Sequence, residues 1–250
     1  MSDTAILTLR TMLANLDDAK KYQSLRDVMS TLPAPDLAAV FEDLPPEKLP
    51  VLFRLCPKDL AAEIFAELTP ETQQDLIDGL TDKELKAVVD DLFVDDATDL
   101  VEEMPANVVK KVLQNADEGT RKTINQFLNY PENSAGSLMT IEYVDLHDYF
   151  TVRKAMDYIR RTGIDKETIY TCYVTRGHKL IGLTSVKDLL LCEDDDATIE
   201  SIMQEHVITV GTLDDKEQVA QMFSKYNFLA LPVVDTENRL VGIVTFDDAM

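Results

Sequence analysis

The sequence has no tryptophan, three cysteines and eight glycines in 250 residues. Cys56, Cys172 and Cys192 are odd in number and scattered, with no Cys-x-x-Cys spacing. That argues against a disulfide framework or a cysteine zinc site and fits a reducing compartment. The few glycines form no phosphate-cradling loop followed by lysine, and no nucleophile motif is present. His147, His178 and His206 stand alone and read as surface or turn residues, so an enzyme is not expected. No apolar run approaches the ~18–20 residues of a membrane span. The opening MSDTAILTLR lacks the basic stretch and apolar core of a secretory signal. The chain as given reads as soluble. It stops at Met250, inside what reads as the start of a helix, which suggests a fragment of a longer protein.

Basic residues are the other scarcity. Twenty-four Lys and Arg face 46 Asp and Glu, a net charge of −22. Nucleic acid is not an expected partner, because phosphate binding needs a basic surface. Hard cations become plausible ligands. The acid is spread along the chain. Residues 1–130 carry 25 acids against 13 bases, and residues 131–250 carry 21 against 11. Close docking of two such surfaces needs a counter-charge.

The first half reads as short helices. Ile6, Leu9, Leu13 and Leu16 follow a helical spacing that Leu25, Val28 and Met29 resume, predicting helix over 4–29. A beat then appears at Leu44-Pro45, Leu55-Cys56-Pro57, Leu68-Thr69-Pro70, Leu80-Thr81-Asp82, Leu92-Phe93 and Met104-Pro105. The steps are 11, 13, 12, 12 and 12 residues. Proline at a first helical position and Thr or Asp at a cap start each helix. Helices this short are marginal alone and must stack, which predicts a helical solenoid or superhelix. Between Ala87 and Val109 there is no base, while Asp90, Asp91, Asp95, Asp96, Asp99, Glu102 and Glu103 crowd together. Asp91, Asp95 and Asp99 are four apart, and a helix would put them on one side. One reading makes Asp95 or Asp96 an N-cap and Asp99 a complement to the helix dipole. The other makes the patch a magnesium or calcium site; both can hold together.

The second half contains a duplication. LIGLTSVKD at 180–188 and LVGIVTFDD at 240–248 lie sixty residues apart, and Leu138-Met139 and Ile202-Met203 lie sixty-four apart. An insertion at Gly163–Thr168 in the first copy accounts for the difference. Each copy predicts strand, helix, strand, strand, helix. The first strands are expected at Tyr143–Leu146 and Val207–Val210, and the helices around Val152–Ile159 and Val219–Phe223. The hairpins are expected at Ile169–Val174 with Leu180–Leu183, and at Leu229–Val234 with Leu240–Val244. The last helices should start at Ser185 and Thr245.

The ends Gly182-Leu183-Thr184-Ser185-Val186-Lys187-Asp188 and Gly242-Ile243-Val244-Thr245-Phe246-Asp247-Asp248 resemble the CBS domain. The joint Tyr130–Thr140, preceded by an acidic superhelix, resembles the cytosolic region of the MgtE family of magnesium channels. The resemblance implies an α + α/β fold, a right-handed superhelix of short helices at 1–130 followed by a tandem CBS pair. The pair divides into residues 131–198 and 199–250, the second truncated at its last helix. It implies a homodimer through the CBS domains at the cytoplasmic face of a bacterial inner membrane, and a C-terminal transmembrane pore domain. It implies negative feedback, in which Mg2+ between the acidic N domain and the CBS domains favours a closed state. By motif, Asp95 and Asp99 match the N-domain acids, Asp248 and Asp247 match acids of the second CBS end, and Asp215 and Glu217 match others. Asn227 stands between Tyr226 and Phe228 where the family often has an acid. CBS pairs also bind adenine nucleotides such as ATP. The Ser185-x-x-Asp188 end is then expected to hold a ribose, its hydroxyls donating to the Asp188 carboxylate with Ser185 near the phosphates, and Phe228 or Tyr170 to contact the base; alternatively Ser185 and Asp188 only cap a helix. The runner-up function is a CBS module sensing adenine nucleotide for another partner.

Overall fold

The computed structural model describes residues 7–11 and 21–250. Residues 7–11 are helical, and the remainder of the helix expected before Lys21 lies outside the described residues. The chain divides into two compact units, residues 1–92 with 96–123, and residues 93–95 with 124–250.

Residues 21–127 form a run of short helices: α1 Lys21–Met29, α2 Ala34–Glu42, α3 Leu49–Phe53, α4 Lys58–Ala66, α5 Pro70–Gly79, α6 Asp82–Val89, α7 Val94–Glu103, α8 Ala106–Asn115 and α9 Glu118–Phe127; the division between the units cuts α7 after Asp95 and α9 after Thr123. Thr69 and Thr81 hold the N-cap positions where the sequence signals predict helix starts; Pro57 and Pro105 mark starts too, but as N-caps and not as first helical residues, while after Pro45 the helix begins only at Leu49, capped by Lys48. The twelve-residue beat is therefore the helix, but the stacking partner is the helix two steps on. α2 packs on α4, α3 on α5, α4 on α6, and α6 on α8. Polar side chains join the end of one helix to the start of the third helix after it. The Glu42 carboxylate at the end of α2 accepts hydrogen bonds from Thr69 N at 2.8 Å and Thr72 Oγ1 at 2.6 Å, at the start of α5. Asp90, just after α6, accepts one from Asp117 N at 3.0 Å, before α9. Each carboxylate satisfies N–H or hydroxyl donors at a later helix start, where the dipole favours negative charge. Phe41, Phe53 and Phe65, twelve apart, form an edge-to-face ladder with centroids 6.3 and 6.5 Å apart.

α7 differs in one respect from the sequence expectation. It begins at Val94, so Asp95 and Asp96 lie in its first turn and neither is the cap. Asp90 already closes α6 through its N–H to Lys86 O, leaving Asp91–Phe93 as the turn. Asp91 thus sits outside the helix that carries Asp95 and Asp99. Asp95 and Asp99 do share one side, a turn apart.

The second unit holds two three-stranded sheets in the orders β1-β2-β3 and β4-β5-β6. The strands are β1 Val144–His147, β2 Thr171–Arg176, β3 Lys179–Ser185, β4 Val210–Gly211, β5 Ala230–Val234 and β6 Leu240–Thr245. Each sheet has a parallel first pair and an antiparallel hairpin, with matching register shifts at Val174/Thr175 and Val233/Val234. The crossover helices are α11 Val152–Thr162 and α14 Lys216–Tyr226. Short helices α10 Ala135–Leu138, α12 Val186–Leu191, α13 Ile199–Ile202 and α15 Phe246–Ala249 complete the copies. The strand expected at Val207–Val210 is reduced to Val210–Gly211; just before it, Gln204 pairs with the other sheet. Its N–H and carbonyl bond Leu183 of the first sheet at 2.8 and 3.0 Å, while Thr140 does the same with Ile243 of the second, at 2.8 and 2.9 Å. The segment that introduces each copy therefore edges the sheet of the other. The two hairpin turns also meet: Leu180 N donates to Asn238 O at 3.1 Å and Leu240 N to His178 O at 3.0 Å. Gly177 and His178 both hold positive φ, as a tight two-residue turn demands.

The duplication supplies its own control for one core position. Thr184 is 1% exposed and its hydroxyl has no hydrogen-bond partner. The matching residue of the second copy is Val244, fully buried. A hydroxyl buried without a partner costs about 1–3 kcal/mol, and valine has the same shape. Thr184→Val is expected to raise stability by about 1 kcal/mol, read as a rise in the denaturant midpoint at unchanged slope.

Candidate functional site

The end of the second copy concentrates negative charge at a helix start. Thr245 is the N-cap of α15, with Asp247 and Asp248 in its first turn. Asp248 is half-buried and Asp247 exposed. Thr245 Oγ1 donates a short hydrogen bond to Asp248 Oδ2. Burial pushes the Asp248 carboxyl above the usual range; Thr245 works against that, and the neighbouring Asp247 charge adds to it. Two adjacent carboxylates, one partly desolvated, favour either a proton or a cation. The spacing of Thr245 three before Asp248, repeated from Ser185 and Asp188, is the sequence signal for this side-chain contact.

Ser185 and Asp188 hold the same places in the first copy. They form a reciprocal capping box, with Ser185 Oγ donating to Asp188 Oδ2 at 2.6 Å and Asp188 N donating to Ser185 Oγ at 3.0 Å. Tyr170, 68% exposed, stands beside this box and its carbonyl accepts from Val186 N at 3.2 Å. Phe228 is half-buried and stacks on Tyr226, with centroids 5.3 Å apart. The box, an exposed hydroxyl and carboxylate at a helix start, suits a diol and a phosphate. Asp215 caps α14, accepting from Glu217 N at 2.8 Å, and both residues are exposed. Asn227 ends that helix in the left-handed region at φ 53°, a conformation asparagine tolerates better than most acids and bulky residues.

On α7, Asp95 is 9% exposed and Asp99 is exposed, as is Asp91 in the turn before the helix. Asp96 and Asp99 line a cleft of about 210 Å³ with Phe65, Leu68, Gln73 and Leu92. Both acids belong to the acidic segment that the sequence marks, whereas nothing in the sequence points to Gln73. Gln73 is nearly buried and donates to Phe65 O at 2.9 Å. Among the described residues, no three His, Cys, Asp or Glu side chains converge into a cation cage. Asp247 and Asp248 adjoin in the chain, and two carboxylates are a donor set that a hard cation keeping most of its waters can use. No helix among the described residues is long and apolar enough to cross a membrane.

Two family models match. The MgtE intracellular N domain covers residues 32–133, and the CBS domain covers residues 199–250. The magnesium transporter MgtE of Thermus thermophilus is 36% identical over 91% of this chain and 51% of its own length. That of Bacillus subtilis is 31% identical over 91% and 51%. The chain thus spans about half the length of these curated relatives. Among solved structures, the soluble part of a magnesium transporter superposes with a TM-score of 0.91 at 28% identity, covering all of this chain and 96% of that one. The cytosolic domain of the Mg2+ channel MgtE, in complex with ATP, superposes with a TM-score of 0.87 at 35% identity, covering 97% of this chain and 98% of that one. An acidic stack of short helices followed by two edge-exchanging CBS units, alike in sequence and fold to these proteins, belongs to the MgtE magnesium-transporter family, which is not a family of enzymes, and corresponds to its cytosolic domain.

Proposed function

We propose that the chain is the cytosolic Mg2+-sensing region of a magnesium channel, acting at the cytoplasmic face of the membrane on a pore domain of the same polypeptide. Mg2+ is the regulatory ligand. It is shared between carboxylates of the acidic helical unit, Asp91, Asp95 and Asp99, and those of the CBS unit, Asp247, Asp248, Asp215 and Glu217. Ion binding favours the compact, closed arrangement, and loss of the ion lets like charge drive it open. The observation that carries this reading is Asp248, a partly buried carboxyl next to Asp247 in a chain with negative charge on both halves. The chain works as a homodimer through its CBS domains. Tyr170, Leu190, Leu229 and Phe246, apolar side chains left exposed near the two helix starts, support such a contact.

Small-angle scattering with millimolar Mg2+ is expected to give a smaller radius of gyration than with chelator, and trypsin-resistant bases flanking residues 90–103. Identical profiles in both conditions would reject the ion-sensor reading.

A second reading, adenine-nucleotide binding by the CBS pair, has one specific support. The structure 35% identical to this chain was solved in complex with ATP, and the Ser185–Asp188 box offers ribose and phosphate contacts. Asp188→Asn is expected to weaken ATP binding by about tenfold, the loss of about 1.4 kcal/mol from one charge-assisted hydrogen bond, measured by calorimetry. Unchanged affinity would remove Asp188 from the site. Tight ATP binding without any response to Mg2+ would favour a nucleotide sensor.

A further inference from the structure

The first crossover helix departs from the charge of everything around it. α11 carries Arg153, Lys154, Arg160 and Arg161 against one acid, Asp157, and these side chains with Thr151 line a shallow basic trough. The corresponding helix of the second copy, α14, carries Lys216 and Lys225 against Glu217. The CBS fold therefore does not require a basic face on this helix. The N-terminal end is largely engaged: Arg153 pairs with Asp195 at 3.1 Å, and Lys154 Nζ lies 3.9 Å over the Phe150 ring. The C-terminal end is different. Among the described residues Arg160 pairs along its own helix, with Asp157 at 2.9 Å and both partners well exposed. Arg161 Nε donates to Asp157 O. Directly after them, the insertion peculiar to this copy forms a 3₁₀ turn, Gly163–Asp165, that holds Ile164 86% exposed.

We propose that this tip, Arg160, Arg161 and Ile164, docks on the anionic lipid surface of the membrane. Two exposed guanidinium groups at a helix end followed, three residues on, by a protruding aliphatic side chain match the boundary between lipid phosphates and acyl chains. An acidic protein surface would answer the arginines but would leave Ile164 unburied. Two bases supply too little attraction to bring a chain of net charge −22 to a membrane from solution. They suffice to orient a domain already held beside one, where the effective lipid concentration is high. The inference rests on the proposed attachment to a membrane domain, and not on the ion sites.

The absence of tryptophan makes the test clean. Ile164→Trp places a sole indole at an exposed tip. The chain, tethered by a C-terminal hexahistidine tag to nickel-chelating vesicles in EDTA-free, Mg2+-free buffer, is compared on two compositions. Phosphatidylcholine with phosphatidylglycerol is expected to blue-shift the indole emission and expose it to brominated-lipid quenching; phosphatidylcholine alone is not. Adding Arg160→Glu and Arg161→Glu is expected to abolish the shift while the circular dichroism melt stays unchanged. No shift on anionic vesicles, an equal shift on both compositions, or a shift that survives charge reversal would overturn the proposal. None of these outcomes depends on Mg2+, so failure here and failure of the ion-sensor reading are separately visible.

Discussion

Gly242→Ala is expected to destabilise the CBS unit by about 3 kcal/mol, at the upper end of overpacking effects. The glycine sits in β6 opposite the incoming segment of the other copy. A β-carbon there would meet Met139 Sδ at 2.7 Å and Thr140 O at 2.8 Å. Met139 is flexible, but it is 1% exposed and has little space to retreat. Thr140 O is backbone, and it is fixed by the paired hydrogen bonds to Ile243. Relief therefore requires the edge segment to lift, with loss of both hydrogen bonds. The first copy repeats the arrangement, since a β-carbon at Gly182 would meet Met203 Sδ at 2.6 Å and Gln204 O at 3.0 Å. Met139→Ala in the Gly242→Ala background removes one clash and leaves the other, so only partial recovery of the denaturant midpoint is expected. Wild-type stability of Gly242→Ala would show that the edge segment is loosely held.

The same glycines illustrate what the sequence made legible. Gly182 and Gly242 stood in a repeated motif, and Leu138-Met139 and Ile202-Met203 stood in a second repeat. Period, order and hairpin positions followed from local pattern, because each strand pair is closed by a short turn. Sequence spacing did not reveal that each methionine packs under the glycine of the other copy. That exchange is a long-range pairing, and nothing local distinguishes it from each segment serving its own sheet. The superhelix behaved similarly. Caps at Thr69 and Thr81 marked helix starts, but Glu42 at the end of α2 reaching Thr69 and Thr72 at the start of α5 is invisible to a helix-length beat. At the candidate site, Asp95 and Asp99 were legible as one face of a helix. Asp91 was not, because whether it belonged to that helix depended on where α6 stopped. The burial that perturbs Asp248 is likewise set by packing around α15, not by its neighbours in sequence.

Asp248→Asn is expected to separate the ion response from the stability of the ion-free chain, with opposite signs. The folded-state pKa of Asp248 is raised above its unfolded value, by burial first and then by Asp247. The neutral form is thus the favoured one in the ion-free fold. Its contribution to stability is fully present below the unfolded pKa and is lost as pH rises through the raised folded pKa. Asparagine keeps the shape and removes the charge, so the ion-free variant should be more stable than the wild type at neutral pH and gain nothing in acid. Mg2+ reverses the ranking, because it binds the ionised carboxylate and stabilises the folded chain in proportion to its occupancy. The Mg2+ midpoint for compaction should rise about tenfold in the variant, equivalent to about 1.4 kcal/mol of lost binding. In the wild type the midpoint should climb as pH falls into the range where Asp248 takes up its proton, since proton and ion compete for one group. Thermal melts across pH, with and without Mg2+, read both effects. A variant that Mg2+ stabilises and compacts as strongly as the wild type would show that Asp248 is not a ligand and that the charge it adds to the CBS unit is answered elsewhere.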